Sequence, residues 1–333
     1  MPRKVADSVI VITGASTGIG RAAALKFARQ GATVVVTSRR EQTLRLLAEQ
    51  CEQLGGRALA IAADVTDQQG IQALARRVIE TFGKIDIWIN NAAVTLFSRF
   101  EDSPPDAYRR VIETNLFGCV HGARATLPYF REQGSGILIN ISSGVGRIGS
   151  PFISAYVASK FAIIGLSESL RMELQDAPDI HVCTVLPAAI DTPLFQHGAN
   201  FTGRAVKPIP PIYSAEKVAD ALVDLVWHPR REIIVGASAK VGLMMHAVAP
   251  ALTEQIFTKQ VEQKHFEERF TPPSEGNLFR PMNYETISGG WRAASDRRSS
   301  NEVLLGAALG IGICMLIACG RGLRNLRSFK ALL

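Results

Sequence analysis

The chain has 333 residues, 47% hydrophobic and 20% charged, with a formal net charge of +7. Its basic residues are scattered except near the C-terminus, which argues against a nucleic-acid partner and modestly for anionic lipid. The five cysteines form no C-x-x-C pair and only Cys314 and Cys319 lie close together, a reduced intracellular pattern that excludes a disulfide frame or a zinc site.

The N-terminus lacks the apolar core of a signal peptide and runs straight into a short β-branched segment, Ser8–Thr13. Further β-branched runs follow at Thr33–Thr37, Ala58–Ala62, Ile85–Asn90, Gly136–Ile141, His181–Leu186 and Glu232–Val235. Between them, helical patterns cover Arg21–Gln30, Gln42–Leu54, Ile71–Phe82, Tyr108–Glu132, Ala155–Gln175 and Ala215–Trp227, the last opened by Ser214 and Glu216. Strands separated by helices imply crossovers and a parallel sheet covered on both faces. The predicted fold is therefore α/β, a Rossmann-type doubly wound sheet of about seven strands over residues 1–236. An extension over 237–300 and a hydrophobic helix with a basic tail over 301–333 are expected to follow.

Between the first strand and first helix lies Thr13-Gly14-Ala15-Ser16-Thr17-Gly18-Ile19-Gly20. Glycines here allow a tight turn and close backbone approach, and the helix N-terminus attracts a pyrophosphate. Gly14, Ser16, Thr17, Gly18, Ile19 and Gly20 are thus candidate cofactor contacts, although the spacing is not G-x-G-x-x-G. The second strand ends in Ser38-Arg39-Arg40 with no acid before Glu41. An acid would accept from the 2′-hydroxyl of NAD, whereas Ser38 and Arg39 suit the 2′-phosphate of NADP(H).

Tyr156 and Lys160 are four residues apart on a predicted helix, so they share one face. A phenol is a poor acid–base group at neutral pH, and a neighbouring ammonium is expected to lower its pKa. Ser142-Ser143 closes the apolar strand before them.

Together these residues resemble the classical branch of the short-chain dehydrogenase/reductase family, over roughly Ser8 to Gly236. The resemblance implies that Asp64 and Val65 meet the adenine, that Asn91 and Ala92 of Asn90-Asn91-Ala92-Ala93 follow strand four, and that Pro187, Ile190 and Thr192 receive the nicotinamide carboxamide. It implies a catalytic set of Ser143 (thirteen residues before Tyr156), Tyr156, Lys160 and Asn115, with Ser142 lining the strand end. Tyr156 would exchange the proton and Lys160 would lower its pKa and hold the nicotinamide ribose. Ser143 would bind the substrate oxygen, and Asn115 would position a relay water. Ala93 and Ala188 stand where the family usually has glycine, each adding a methyl near the nicotinamide side. Homodimers or homotetramers through the helices carrying Asn115 and Tyr156 are the family's expectation.

Leu194, Phe195, Phe201 and Ile212, with Val94, Leu96 and Phe97 on a facing loop, make an apolar lid that suits a lipophilic ketone or alcohol. Each could equally pack the lid itself, and His197 reads as a bystander. Val241–Leu252 is apolar but too short to span a bilayer, and a polar region follows to about Ser300. Val303–Gly320 then runs without a charge; as a helix it would extend ~27 Å against a ~30 Å hydrocarbon core. Gly306-x-x-x-Gly310 is a close-packing spacing for membrane helices, and Arg321, Arg324, Arg327 and Lys330 follow. A membrane anchor with the catalytic part on the cytoplasmic side is expected, a cytoplasmic protein if that helix is a core or contact helix instead. The competing functional readings are a sugar-nucleotide-modifying enzyme, which usually has a TGxxGxxG turn, and a cofactor-binding regulator without turnover.

Overall fold

The computed structural model describes residues 5–282 and 285–292. The expected membrane anchor, Val303–Gly320 with its basic tail, lies outside the described residues, and among those described no helix is long and apolar enough to cross a membrane.

Seven strands form one sheet: β1 (Val9–Thr13), β2 (Thr33–Ser38), β3 (Arg57–Ala62), β4 (Ile87–Asn90), β5 (Gly136–Ile141), β6 (Ile180–Pro187) and β7 (Glu232–Val235). They lie in the order β7-β6-β5-β4-β1-β2-β3, and every neighbouring pair is parallel. This is the doubly wound Rossmann-type architecture expected from the alternation. Because the side-chain period of a strand is two, β1 feeds two cores at once. Ile10 and Ile12 pack under α1 (Gly18–Ala28), α2 (Glu41–Gln53) and the later Ala215–Trp227 helix. Val9 and Val11 pack under α3 (Gln68–Phe82) and the later Gly118–Gln133 helix.

The single helix expected over Tyr108–Glu132 is instead three pieces: α4 (Pro105–Ile112), a π-helical turn (Glu113–Phe117) and α5 (Gly118–Gln133). Asn115 sits fully buried in that turn. Its Oδ1 accepts from Val94 N at 2.8 Å and its Nδ2 donates to Val94 O at 3.0 Å. The wider turn thus coincides with an amide that grips the loop after β4, a device that periodicity alone does not reveal.

After α6 (Ser154–Glu173) and the one-turn α7 (Leu194–His197) comes α8 (Ala215–Trp227), preceded by Ser214 but without a side-chain cap bond. The apolar stretch Val241–Leu252 divides between α9 (Ala237–Val248) and α10 (Pro250–Lys264). The region read as polar continues as Phe266–Phe270, paired antiparallel with Arg204–Val206. Residues 274–282 and 285–292 then lie against the loops that follow β1, β2 and β6.

The order reversal beside β1 separates the loops after β1 and β4 and opens a crevice at their carboxyl ends. Thr13 holds that junction together. Its buried hydroxyl donates to Ile89 O at 3.3 Å and accepts from Asn91 N at 3.0 Å and Ala92 N at 3.1 Å. Thr13→Val keeps the shape but orphans both amides, so it is expected to cost ~2–4 kcal/mol. Urea denaturation checks this, and an unchanged midpoint would show that the staple contributes nothing.

Candidate active site

A cavity of about 1070 Å³ opens at the carboxyl ends of the strands. Gly14, Ser16, Thr17, Gly18, Ile19, Ser38, Arg39, Asp64, Val65, Asn91, Ala92, Pro187, Ile190 and Thr192 all line it, as do Ser143, Tyr156 and Lys160. Gly20 and Asn115 do not line it.

The turn after β1 is built by close approach. Gly14 has φ +65°, and a Cβ there would lie 2.6 Å from Ala92 Cα. A Cβ on Gly20 would lie 2.5 Å from Gly14 O and 2.6 Å from Asn91 Nδ2. Gly20 therefore serves the packing of α1 on the turn rather than the cavity wall. Asn91 Nδ2 donates to Thr13 O at 2.9 Å and Gly14 O at 3.2 Å, tying the β1 and β4 ends together.

At the end of β2, Ser38 Oγ accepts from Arg40 N at 3.3 Å. The Arg39 guanidinium donates to Asn277 O at 2.6 Å and Leu278 O at 3.0 Å. Burial lowers its pKa, opposed by the charge of Asp64. Asp64 accepts from Thr66 N and Thr66 Oγ1, and from Arg110 Nη2 at 2.8 Å. Burial alone would raise the Asp64 pKa, but the Thr66 and Arg110 contacts together hold it below the usual carboxylate range. The extension beyond the sheet thus reaches the β2 end, which nothing in the local sequence signalled.

The other end of the cavity holds the acid–base groups. Lys160 is 2% exposed on α6, its Nζ donating to Ile141 O at 2.8 Å and lying 5.3 Å from the centre of the Tyr156 ring. Burial lowers the Lys160 pKa to about 8. Burial also pushes the Tyr156 phenol up to about 12, with a hydrogen bond from Ser143 opposing. The expected lowering of the phenol by its lysine is therefore not what this structure shows. Both groups are buried, and burial disfavours the charged form of each.

The two serines are sorted by the strand end. Ser142 is buried and donates to Lys160 O at 2.9 Å, while Ser143 is the one that bonds the phenol. Asn115 Nδ2 donates to Ser159 Oγ at 3.0 Å, and Ser159 Oγ to Tyr156 O at 2.7 Å. The Asn115 side chain thus braces the helix that carries the tyrosine.

Beyond Tyr156 the cavity turns apolar. Val94, Phe97, Leu194 and Phe195 line it as expected, with Phe97 and Phe195 stacked at 6.3 Å between ring centres. Leu96 and Phe201 instead pack into a small core with Val111 and Leu278, and Ile212 is not at the wall. His197 is 6% exposed and lines the cavity, its pKa lowered by burial and then by the charge of Arg40. Sequence reasoning missed the rest of this arm: Ile148 and Ile153 before α6, Met245 on α9, and Phe257 and Val261 on α10. It also missed His265, which burial pushes down to about 4. These come from elements that reach the site only through long-range packing. The one local signal was the apolar character of Val241–Leu252.

The residues present fit a dinucleotide. The cavity runs without interruption from a cationic end at Arg39, past the glycine turn, to the buried Tyr156–Lys160 pair.

Known proteins with this arrangement were found by comparison. The short chain dehydrogenase family profile matches residues 8–200. The uncharacterized oxidoreductase YxnA of Bacillus subtilis is 33% identical over 328 residues, covering 96% of this chain and 92% of its own length. A short-chain dehydrogenase from Streptomyces avermitilis superposes with TM-score 0.66 at 32% identity, over 77% of this chain and 98% of its own. A metagenomic short-chain oxidoreductase solved in complex with NADP superposes with TM-score 0.59 at 30% identity, over 69% of this chain and 96% of its own. From its seven-stranded sheet to its serine, tyrosine and lysine at one cavity wall, the chain belongs to the short-chain dehydrogenase family of oxidoreductases.

Proposed function

We propose that the protein is an NADP(H)-dependent oxidoreductase that interconverts a carbonyl and an alcohol on a lipophilic substrate. One observation carries this reading: a single cavity joins the Arg39 end, the Tyr156–Lys160 pair and an apolar arm lined by Phe97, Phe195, Met245 and Phe257. A regulator without turnover would not need a desolvated tyrosine–lysine pair at the cavity wall. The cofactor's nicotinamide, when bound, supplies or accepts the hydride.

The chain's own residues supply position and the proton. Tyr156 Oη holds the proton that a reduced carbonyl oxygen needs, and a phenol pushed up to about 12 stays protonated throughout the ordinary pH range. Ser143 donates to the oxygen as negative charge develops, in a pocket where low dielectric strengthens that contact. Lys160, when charged, stabilises the tyrosinate left behind. Asn115 acts as a positioning residue: it fixes Val94 at the cavity wall and, through Ser159, the α6 turn bearing Tyr156. Ser38 and Arg39 hold the 2′-phosphate, and Gly14–Ile19 the pyrophosphate.

Three results are expected. Tyr156→Phe should lower reductive kcat by at least ~10²-fold with little change in NADPH affinity, the range of general acid–base catalysis. In the wild type, the charged fraction of Lys160 falls as pH rises through about 8, so reductive kcat/KM should decline across that value. Near-normal turnover of the variant, or a profile flat through pH ~10, would remove the pair from the mechanism. Arg39→Ala should weaken NADPH binding by ~10-fold or more and NADH binding far less, because the charge-assisted contact exists only with the 2′-phosphate. Equal losses in a binding titration would make Arg39 structural.

A further inference from the structure

The cofactor contacts of the family's core end with β6 and its following turn, yet the chain returns to them more than eighty residues later. Two described stretches, 274–282 and 285–292, hydrogen-bond residues of the cavity wall at the Arg39 end and the glycine turn. The first is anchored by Leu278, fully buried in a small core with Val94, Val111 and Ala155. From that anchor the carbonyls of Asn277 and Leu278 take both terminal nitrogens of Arg39, and Leu278 O also accepts from Arg110 Nε at 3.1 Å. Pro281 and Met282 line the cavity itself.

The second stretch reaches the opposite wall. Thr286 O accepts from Gly18 N, in the glycine turn, at 3.0 Å. Glu285 accepts from Thr43 Oγ1 at 3.2 Å, and its charge acts on Arg21 and Arg40. Asp191 then clamps the end, accepting from Ser288 Oγ at 2.7 Å and from Gly289 N and Trp291 N at 3.0 Å each.

We propose that these two stretches form a strap that completes the adenosine end of the dinucleotide site and holds Arg39 in place for a 2′-phosphate. The proposal rests on the NADP(H) reading above. Its contacts include Gly18, Arg39 and Thr192, three residues that line the cavity. The chemistry of the Arg39 contact is selective. Carbonyls are uncharged acceptors, so they orient the guanidinium without cancelling its charge, and three of its five N–H donors stay available. The one acid the strap brings, Glu285, is hydrogen-bonded instead to Thr43 beside Arg40. Fixing a flexible cation before its ligand arrives removes part of the ordering cost of binding. One stretch meets the β2 end and the other the glycine turn, the two walls that would flank an adenosine. Cofactor release therefore requires the strap to move.

The test uses the full-length protein. Hydrogen exchange of residues 274–292 is measured with saturating NADPH, with NADH and without nucleotide, beside a direct binding titration. Stopped-flow release of NADPH is compared between wild type and Leu278→Ala. NADPH should slow strap exchange at least tenfold and NADH less. Leu278→Ala should speed NADPH release at least tenfold and weaken NADPH more than NADH. If NADPH binds but leaves strap exchange unchanged or faster, the strap is no part of the site and the proposal fails, whether or not the variant folds. If the titration detects neither nucleotide, the cofactor reading itself fails, and this inference with it.

Discussion

The site depends on the hydroxyl of Thr13. It stands at the carboxyl end of β1, where the strand order reverses: β2 and β3 extend the sheet on one side and β4 is added on the other. Two loops diverge there, and their divergence is what opens the crevice. The same divergence leaves the amides of Asn91 and Ala92 without a strand partner. Thr13 Oγ1 receives both, and Asn91 returns bonds to Thr13 O and Gly14 O. The crevice is thereby open to a ligand yet closed in hydrogen-bond terms. Gly14 and Gly20 follow from this closeness, since a side chain at either would strike Ala92, Asn91 or the turn's own backbone.

At the far end of the crevice the governing term is desolvation. Lys160 lies beside Tyr156, and burial of both loosens the ammonium's proton and tightens the phenol's. The result is a phenol that stays protonated across the ordinary pH range, beside an ammonium whose charge is lost as pH rises through about 8. Such opposed shifts within one pair mark an acid–base site more strongly than the residue types alone.

The legible and illegible parts of this protein divide by distance along the chain. The parallel sheet was readable because each strand is a short β-branched run and each helix a periodic one. The glycine turn, Arg39, Tyr156 and Lys160 could be placed at the cavity from short spacings, and Ser143 through the family resemblance. The break at Asn115 was not, since the π turn is bound up with contacts to Val94, twenty-one residues away. The apolar arm from α9 and α10 and the strap over Arg39 were hidden for the same reason: Asn277 meets Arg39 across 238 residues. The direction of the tyrosine shift was misread because spacing reports a neighbour's charge but not its burial.

The central claim is that one cavity brings a nicotinamide and an apolar carbonyl together against Tyr156. It is tested most directly by following label from NADPH deuterated at the transferable position into a series of apolar ketones of increasing length, with mass spectrometry of the alcohols. The account predicts deuterium at the carbinol carbon, with kcat/KM rising as the substrate fills the arm lined by Phe97, Met245 and Phe257. Tight NADPH binding without label transfer to any ketone of the series would contradict it.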